Sequence, residues 1–123
     1  MEPTGSPLVA IVDEDESFRR SLERLVRSAG FRVETFGSAE DFLEHGNLDG
    51  TACAILDMRL PGLNGFELQQ RLIRRPRSMP IVFVSAHEDA VMQANTLRAG
   101  AIAFLKKPFD DNTLIDALHR AIN

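Results

Sequence analysis

At 123 residues the chain has the size of a single domain able to bury its own core. Fourteen Lys plus Arg against eighteen Asp plus Glu leave a formal charge of -4, the wrong sign for a nucleic-acid module and too mild for a polyanionic tail. The longest apolar runs are strand-length, no basic stretch leads into an apolar signal segment, and the one cysteine, Cys53, excludes an internal disulfide. A cytoplasmic protein is the expectation, with neither a membrane nor a nucleic acid in direct contact with this domain.

Residues 1–7 hold two prolines and a glycine ahead of any periodic pattern and read as a loose lead-in to a domain spanning 8–123. Leu8 to Val12 is an unbroken apolar run, the mark of a strand buried on both faces, and it runs into Asp13-Glu14-Asp15. Phe18, Leu22, Leu25, Val26 and Ala29 recur at helical spacing, with Arg and Glu on the other face, and Gly30 stops that helix. Phe31 to Phe36 alternates apolar and polar residues, which predicts a half-exposed strand near a sheet edge. Ser38 reads as the N-cap of a short helix with Glu40 and Asp41 in its first turn and Phe42 and Leu43 on its apolar side.

After a turn at Gly46 to Gly50, a second unbroken run begins at Ala52 and ends abruptly at Asp57, followed by a loop marked by Pro61, Gly62, Asn64 and Gly65. Cys53 lies inside that run and reads as a small buried hydrophobe. Phe66, Leu68, Leu72 and Ile73 predict a third helix bounded by Pro76. Pro80 to Ala86 is a further buried strand, and the polar group at its end is the hydroxyl of Ser85. Glu88 to Ala99 predicts a helix with a weaker stripe of Val91, Met92 and Leu97, stopped by Gly100. Ala101 to Leu105 is the fifth strand, ended by Lys106-Lys107-Pro108, and Asp110 or Asp111 caps a last helix carrying Leu114, Ile115, Leu118 and Ile122.

Five strands alternating with five helices through short connections argue for right-handed crossovers and a doubly wound parallel sheet. In such a sheet the strands' carboxyl ends open on one edge, where ligands bind. Asp13, Glu14, Asp57, Ser85 and Lys106 or Lys107 fall there. Clustered carboxylates raise one another's pKa or recruit a cation, and all-oxygen ligation favours a hard ion such as Mg²⁺. A lysine and a hydroxyl can hold phosphoryl oxygens, while an aspartate can itself be a nucleophile. These parts suit metal-assisted phosphoryl transfer onto Asp57. Blander roles fit the neighbours: Asp15 and Asp110 or Asp111 as helix caps, Lys106 as a solvated charge, His87-Glu88-Asp89 as a polar loop, Met58 as packing.

Four segments in this order, Ile11-Val12-Asp13-Glu14-Asp15, Ile55-Leu56-Asp57-Met58-Arg59-Leu60-Pro61-Gly62-Leu63-Asn64-Gly65, Val84-Ser85-Ala86 and Phe104-Leu105-Lys106-Lys107-Pro108-Phe109, closely resemble the receiver domain of two-component response regulators. Phe18-Arg19-Arg20-Ser21-Leu22 and Ser38-Ala39-Glu40-Asp41-Phe42-Leu43 look most like its FixJ-type subgroup. The resemblance implies a five-stranded flavodoxin-like (βα)5 three-layer sandwich with strand order 2-1-3-4-5. It implies that Asp57 accepts a phosphoryl group from a sensor histidine kinase. Asp57, Glu14 and the backbone carbonyl of Arg59 would ligate Mg²⁺ directly, and Asp13 through a water. Lys107 would pair with one phosphoryl oxygen and Ser85 with another, Phe104 would take the aromatic switch position, and the Lys107-Pro108 peptide is cis in many members. Arg59 and His87 resemble the variable positions that tune access of water to the acyl phosphate.

Two departures stand out: Glu14 is one methylene longer than the more frequent Asp, and Phe104 lacks the hydroxyl of a tyrosine, leaving a switch that works by packing. The implied function is a signalling switch, probing partners or a homodimer through the face of the last two helices and fifth strand, and controlling transcription. Its only chemistry is self-phosphorylation and autodephosphorylation. The alternative is a phosphorylation-independent receiver-like interaction module. An aspartate-nucleophile phosphatase is disfavoured because Arg59 stands where a second acid is usual, and a flavodoxin-like carrier because no glycine-rich phosphate loop follows the first strand.

Overall fold

A computed structural model of the chain describes residues 5–123. Its elements run β1 (Leu8–Val12), α1 (Glu16–Ser28), β2 (Arg32–Phe36), α2 (Ala39–His45), β3 (Thr51–Asp57), α3 (Gly65–Ile73), β4 (Ile81–Ser85), α4 (Ala90–Arg98), β5 (Ala103–Lys106) and α5 (Asp111–Ile122). The strands form one sheet in the order β2-β1-β3-β4-β5, and every pairing is parallel. This is the expected doubly wound (βα)5 arrangement.

Strand side chains alternate between faces, so the unbroken apolar runs feed two cores at once. Val9, Ile11, Cys53, Ile55, Val82 and Val84 face one side, where Leu22 and Val26 of α1 and Leu114, Ala117 and Leu118 of α5 close over them. Ala10, Val12, Ala54, Leu56, Ile81 and Phe83 face the other, under Phe42 of α2 and Leu68 and Leu72 of α3. A run with polar alternation could fill only one of these layers. The edge strand β2 is covered less fully: Arg32 is exposed and Glu34 and Thr35 are half-buried, while Val33 joins the first core and Phe36 the second, so the strict alternation expected of it is not observed.

Several boundaries and faces differ from the sequence reading. Residues 1–4 of the expected lead-in lie outside the described residues, while the carbonyls of Ser6 and Pro7 accept hydrogen bonds from the Arg32 side chain and amide. Helix α4 starts at Ala90 rather than Glu88, because the Asp89 carboxylate accepts the Met92 amide and caps the helix there. Of its expected stripe only Met92 packs against a core: Val91 is 69% exposed and Leu97 40%, and the fully buried position is Thr96. Met92 and Thr96, four residues apart, share the inward side, which leaves Val91 and Leu97 on the flanks. Ile73 is likewise 51% exposed, since Gly65, Leu68, Gln69 and Leu72 already make the inward face of α3. Strand β5 begins at Ala103, because the Ala101 amide is spent on the Thr96 carbonyl in the turn after α4.

Candidate functional site

Parallel register brings Val12 beside Leu56, and Asp57 beside Val84, so the residues that leave β1 and β3 come out side by side. Asp13 is 1% exposed. Its two carboxylate oxygens divide the work: Oδ1 accepts the Asp15 amide at 2.9 Å and Oδ2 accepts the Lys107 ammonium at 2.8 Å. The same Nζ lies 3.7 Å from Asp57 Oδ2, an ion-pair distance rather than a hydrogen bond. Asp57 Oδ1 accepts the Arg59 amide at 3.2 Å. Asp13, Asp57 and Lys107 therefore meet at one point, with the Asp57 and Lys107 side chains only 13% and 16% exposed.

Burial pushes the Asp57 carboxyl above its ordinary value, the Asp13 carboxylate adds to that rise, and Lys107 and the Arg59 amide oppose it. One lysine is shared by two carboxylates in a half-dry place, so the site carries surplus negative charge next to oxygen donors. That chemistry fits a hard divalent cation, which keeps waters and needs one or two carboxylates. Among the described residues no group of three or more His, Cys, Asp or Glu side chains is gathered into a metal cluster, so the exposed Glu14 is not drawn into the Asp13–Asp57 pair.

Ser85 is 2% exposed, and its hydroxyl accepts the His87 amide and donates to the His87 carbonyl, each at 3.1 Å. It closes its own loop instead of reaching Asp57. Its backbone carbonyl accepts the Lys107 amide at 2.7 Å, which ties the ends of β4 and β5 together, and the Lys107-Pro108 peptide is cis. Met58, Arg59, Leu60, Asn64, Ser85, His87, Asp89 and Met92 line an open cavity of about 410 Å³ beside these groups. Phe104 is half-buried on β5, its ring stacked on Phe83 with centroids 6.1 Å apart, and it lines a smaller cavity with His87, Glu88 and Lys106. Lys106 is the exposed strand-end charge expected, and its Nζ pairs with the likewise exposed Glu88 at 2.7 Å.

The loop after Asp57 is held from both ends. Asn64 and Glu67 exchange hydrogen bonds as a capping box that starts α3. Glu40, on α2, accepts the Leu63 amide at 2.9 Å, which holds its carboxyl below the usual range. Sequence spacing alone carries no sign of this link between residues 23 positions apart. Two further contacts escaped the sequence reading: the Arg19 guanidinium donates to the Asp13 carbonyl at 2.7 Å, and the Phe18 ring lies under Lys107.

The chain matches the family model described as response regulator receiver domain over residues 9–119. It is 43% identical over 117 residues to nodulation protein W of Bradyrhizobium diazoefficiens, covering 95% of this chain and 52% of that protein. Among solved structures, response regulator StyR is 47% identical with a TM-score of 0.88, covering 96% of this chain and 60% of that one. Full-length FixJ from B. japonicum is 36% identical with a TM-score of 0.85, covering 97% and 59%. The chain spans about half the length of the curated relatives it matches. Among the described residues no helix is long and apolar enough to cross a membrane.

Proposed function

The chain belongs to the response regulator receiver family, and on that premise we propose that Asp57 is the phosphoacceptor of a two-component switch. One observation carries the reading: Asp57 shares the Lys107 ammonium with the buried Asp13 at the open end of the central strand. A nucleophilic carboxylate there has the Lys107 ammonium at its side, and the residues that follow it, Met58, Arg59 and Leu60, line an open cavity.

In the proposed transfer a sensor histidine kinase presents a phosphohistidine. An Asp57 carboxylate oxygen attacks phosphorus, the P–N bond breaks, and the imidazole leaves with the electron pair, so that an acyl phosphate stands on Asp57. Lys107 moves its ammonium from Asp13 toward a phosphoryl oxygen, a shift short enough for its flexible stem. The Ser85 hydroxyl gives up its loop bonds and turns to another phosphoryl oxygen. Phe104, on the neighbouring strand, follows into the space this opens. Asp13, Glu14, Asp57 and the Arg59 carbonyl would hold Mg²⁺, which when bound supplies positive charge against the phosphoryl oxygens. The domain turns over no free substrate; it gains and loses its own phosphoryl group. The output is a change in the face of α4, β5 and α5 that promotes a homodimer and, in a longer regulator, transcriptional control.

The test is intact mass after incubation with acetyl phosphate and Mg²⁺, on the native chain and on Asp57→Asn. One phosphoryl adduct on the native chain alone is expected. No adduct on the folded native chain, with rapid hydrolysis excluded by a time course, overturns the reading in favour of a phosphorylation-independent interaction module.

A further inference from the structure

Phe18 sits in the first turn of α1, where helical spacing alone makes it another core residue. Its ring is half-buried and does pack against the first core, and it makes a second contact as well. The Lys107 Nζ stands over it, 3.9 Å from the ring centroid. Phe109 meets the same ring edge-on, at 6.1 Å and 90°. The Phe18 amide donates to Asp15 Oδ1, the Asp15 amide donates to Asp13 Oδ1, and Asp13 Oδ2 accepts from Lys107. Asp13, Asp15, Phe18 and Lys107 thus form a closed circuit around the ammonium.

We propose that Phe18 is a positioning residue whose π face holds the Lys107 ammonium at the Asp13–Asp57 pair while leaving it free to move to the phosphoryl group. The inference rests on the reading of Asp57 as phosphoacceptor. The ammonium donates a hydrogen bond to Asp13, has Asp57 on a second side at ion-pair distance, and has the ring face closing a third. The negative face of an aromatic ring attracts a cation, more strongly when water is partly excluded, as it is for this lysine. The kind of residue matters here. A carboxylate in this place would compete with the phosphoryl oxygens for the charge, and an aliphatic side chain would strip water from the ammonium and return nothing. A neutral π face does neither, so the four-carbon stem of Lys107 is confined without being locked.

The decisive experiment places mono-, di- and trifluorophenylalanine at position 18, which drains the ring's face charge at nearly constant shape, beside Phe18→Tyr and Phe18→Leu. The first readout needs neither metal nor phosphodonor: the Lys107 ε-methylene protons, shielded by the ring face, resonate upfield in the native chain and return to ordinary shifts in Phe18→Leu. The second is the rate of phosphorylation by acetyl phosphate with Mg²⁺. It is expected to fall stepwise with each fluorine, to fall roughly 3- to 10-fold in Phe18→Leu, and to stay within about two-fold in Phe18→Tyr. Native shifts without shielding, or a flat fluorine series on a chain that is phosphorylated, overturn the proposal alone. A native chain that takes no phosphoryl group overturns the Asp57 reading and this one with it.

Discussion

At the scale of single residues the site is a concentration of like charge that the fold tolerates. Asp57 and Asp13 share one lysine, and the Asp57 carboxyl is raised above its ordinary value of 3.8, by burial first and by Asp13 second. A raised folded value means that the folded chain binds this proton more tightly than the unfolded one. Stability is therefore lost as pH climbs from 3.8 through the folded value, and the loss is complete above it. Asp57→Asn removes the charge and keeps the shape. In chelator at neutral pH it should melt a few degrees higher than the native chain, on the order of 1 kcal/mol. The gap should close as pH falls toward 3.8; a lower melting point, or a gap indifferent to pH, contradicts the account. The meeting of Asp13 with Asp57 was legible because each residue follows an unbroken apolar run, and strand ends in a parallel sheet share an edge. Phe18 was not legible as part of the site. Its role depends on a lysine brought to it from the far end of the chain, and helical spacing assigns it to the core.

At the scale of elements, legibility divides between cores and ends. The runs at Leu8 to Val12 and Ala54 to Leu56 face two filled layers, so their hydrophobicity alone places them. Helix faces are less readable where small or polar residues line the inner side, and Thr96 and Gln69 took positions that Leu97 and Ile73 were expected to share. The junction of β3 and α3 is tighter than its loop composition suggests. A Cβ on Gly65 would stand 2.6 Å from the Asp57 carbonyl oxygen and 2.9 Å from Met58 Cα, both backbone. Gly65→Ala must push the helix off the strand end, and we expect a loss of about 2 kcal/mol in urea unfolding together with slower phosphorylation. An unchanged midpoint would show that the junction yields. Helix α2 offers a separate check: His45 is raised above 6.5, chiefly by its hydrogen bond with Asp41 one turn back. The bond supports the helix end below 6.5 and is lost as pH rises through the folded value. Titration of the ring by NMR should give a value above 6.5 in the native chain and a return toward it in Asp41→Ala.

Across the whole molecule, the two cores pack against the two faces of one sheet, and Asp13, Asp57 and Lys107 meet at the sheet edge between them. A change at Asp57 can therefore be felt elsewhere only through elements that touch that edge, and β5 is the most direct. Lys107 follows it, Lys106 at its end pairs with Glu88 before α4, and Phe104 stacks on Phe83 in the core. Helix α4, beside it, buries only Thr96 and leaves Val91 at 69% and Leu97 at 40% exposure. A helix held by so little apolar area shifts at small cost, and exposed Val and Leu give a partner copy something to bury. Val91→Glu and Leu97→Glu test this directly. Both side chains are exposed, so neither change should move the melting point by more than about 2 °C, near 0.5 kcal/mol. Light scattering of the native chain with acetyl phosphate and Mg²⁺ should give a dimer mass that either variant reduces at least ten-fold in affinity, since a buried unpaired carboxylate replaces apolar contact. Equal dimerisation of native chain and variants, or a phosphorylated native chain that stays monomeric, would move the output to another face.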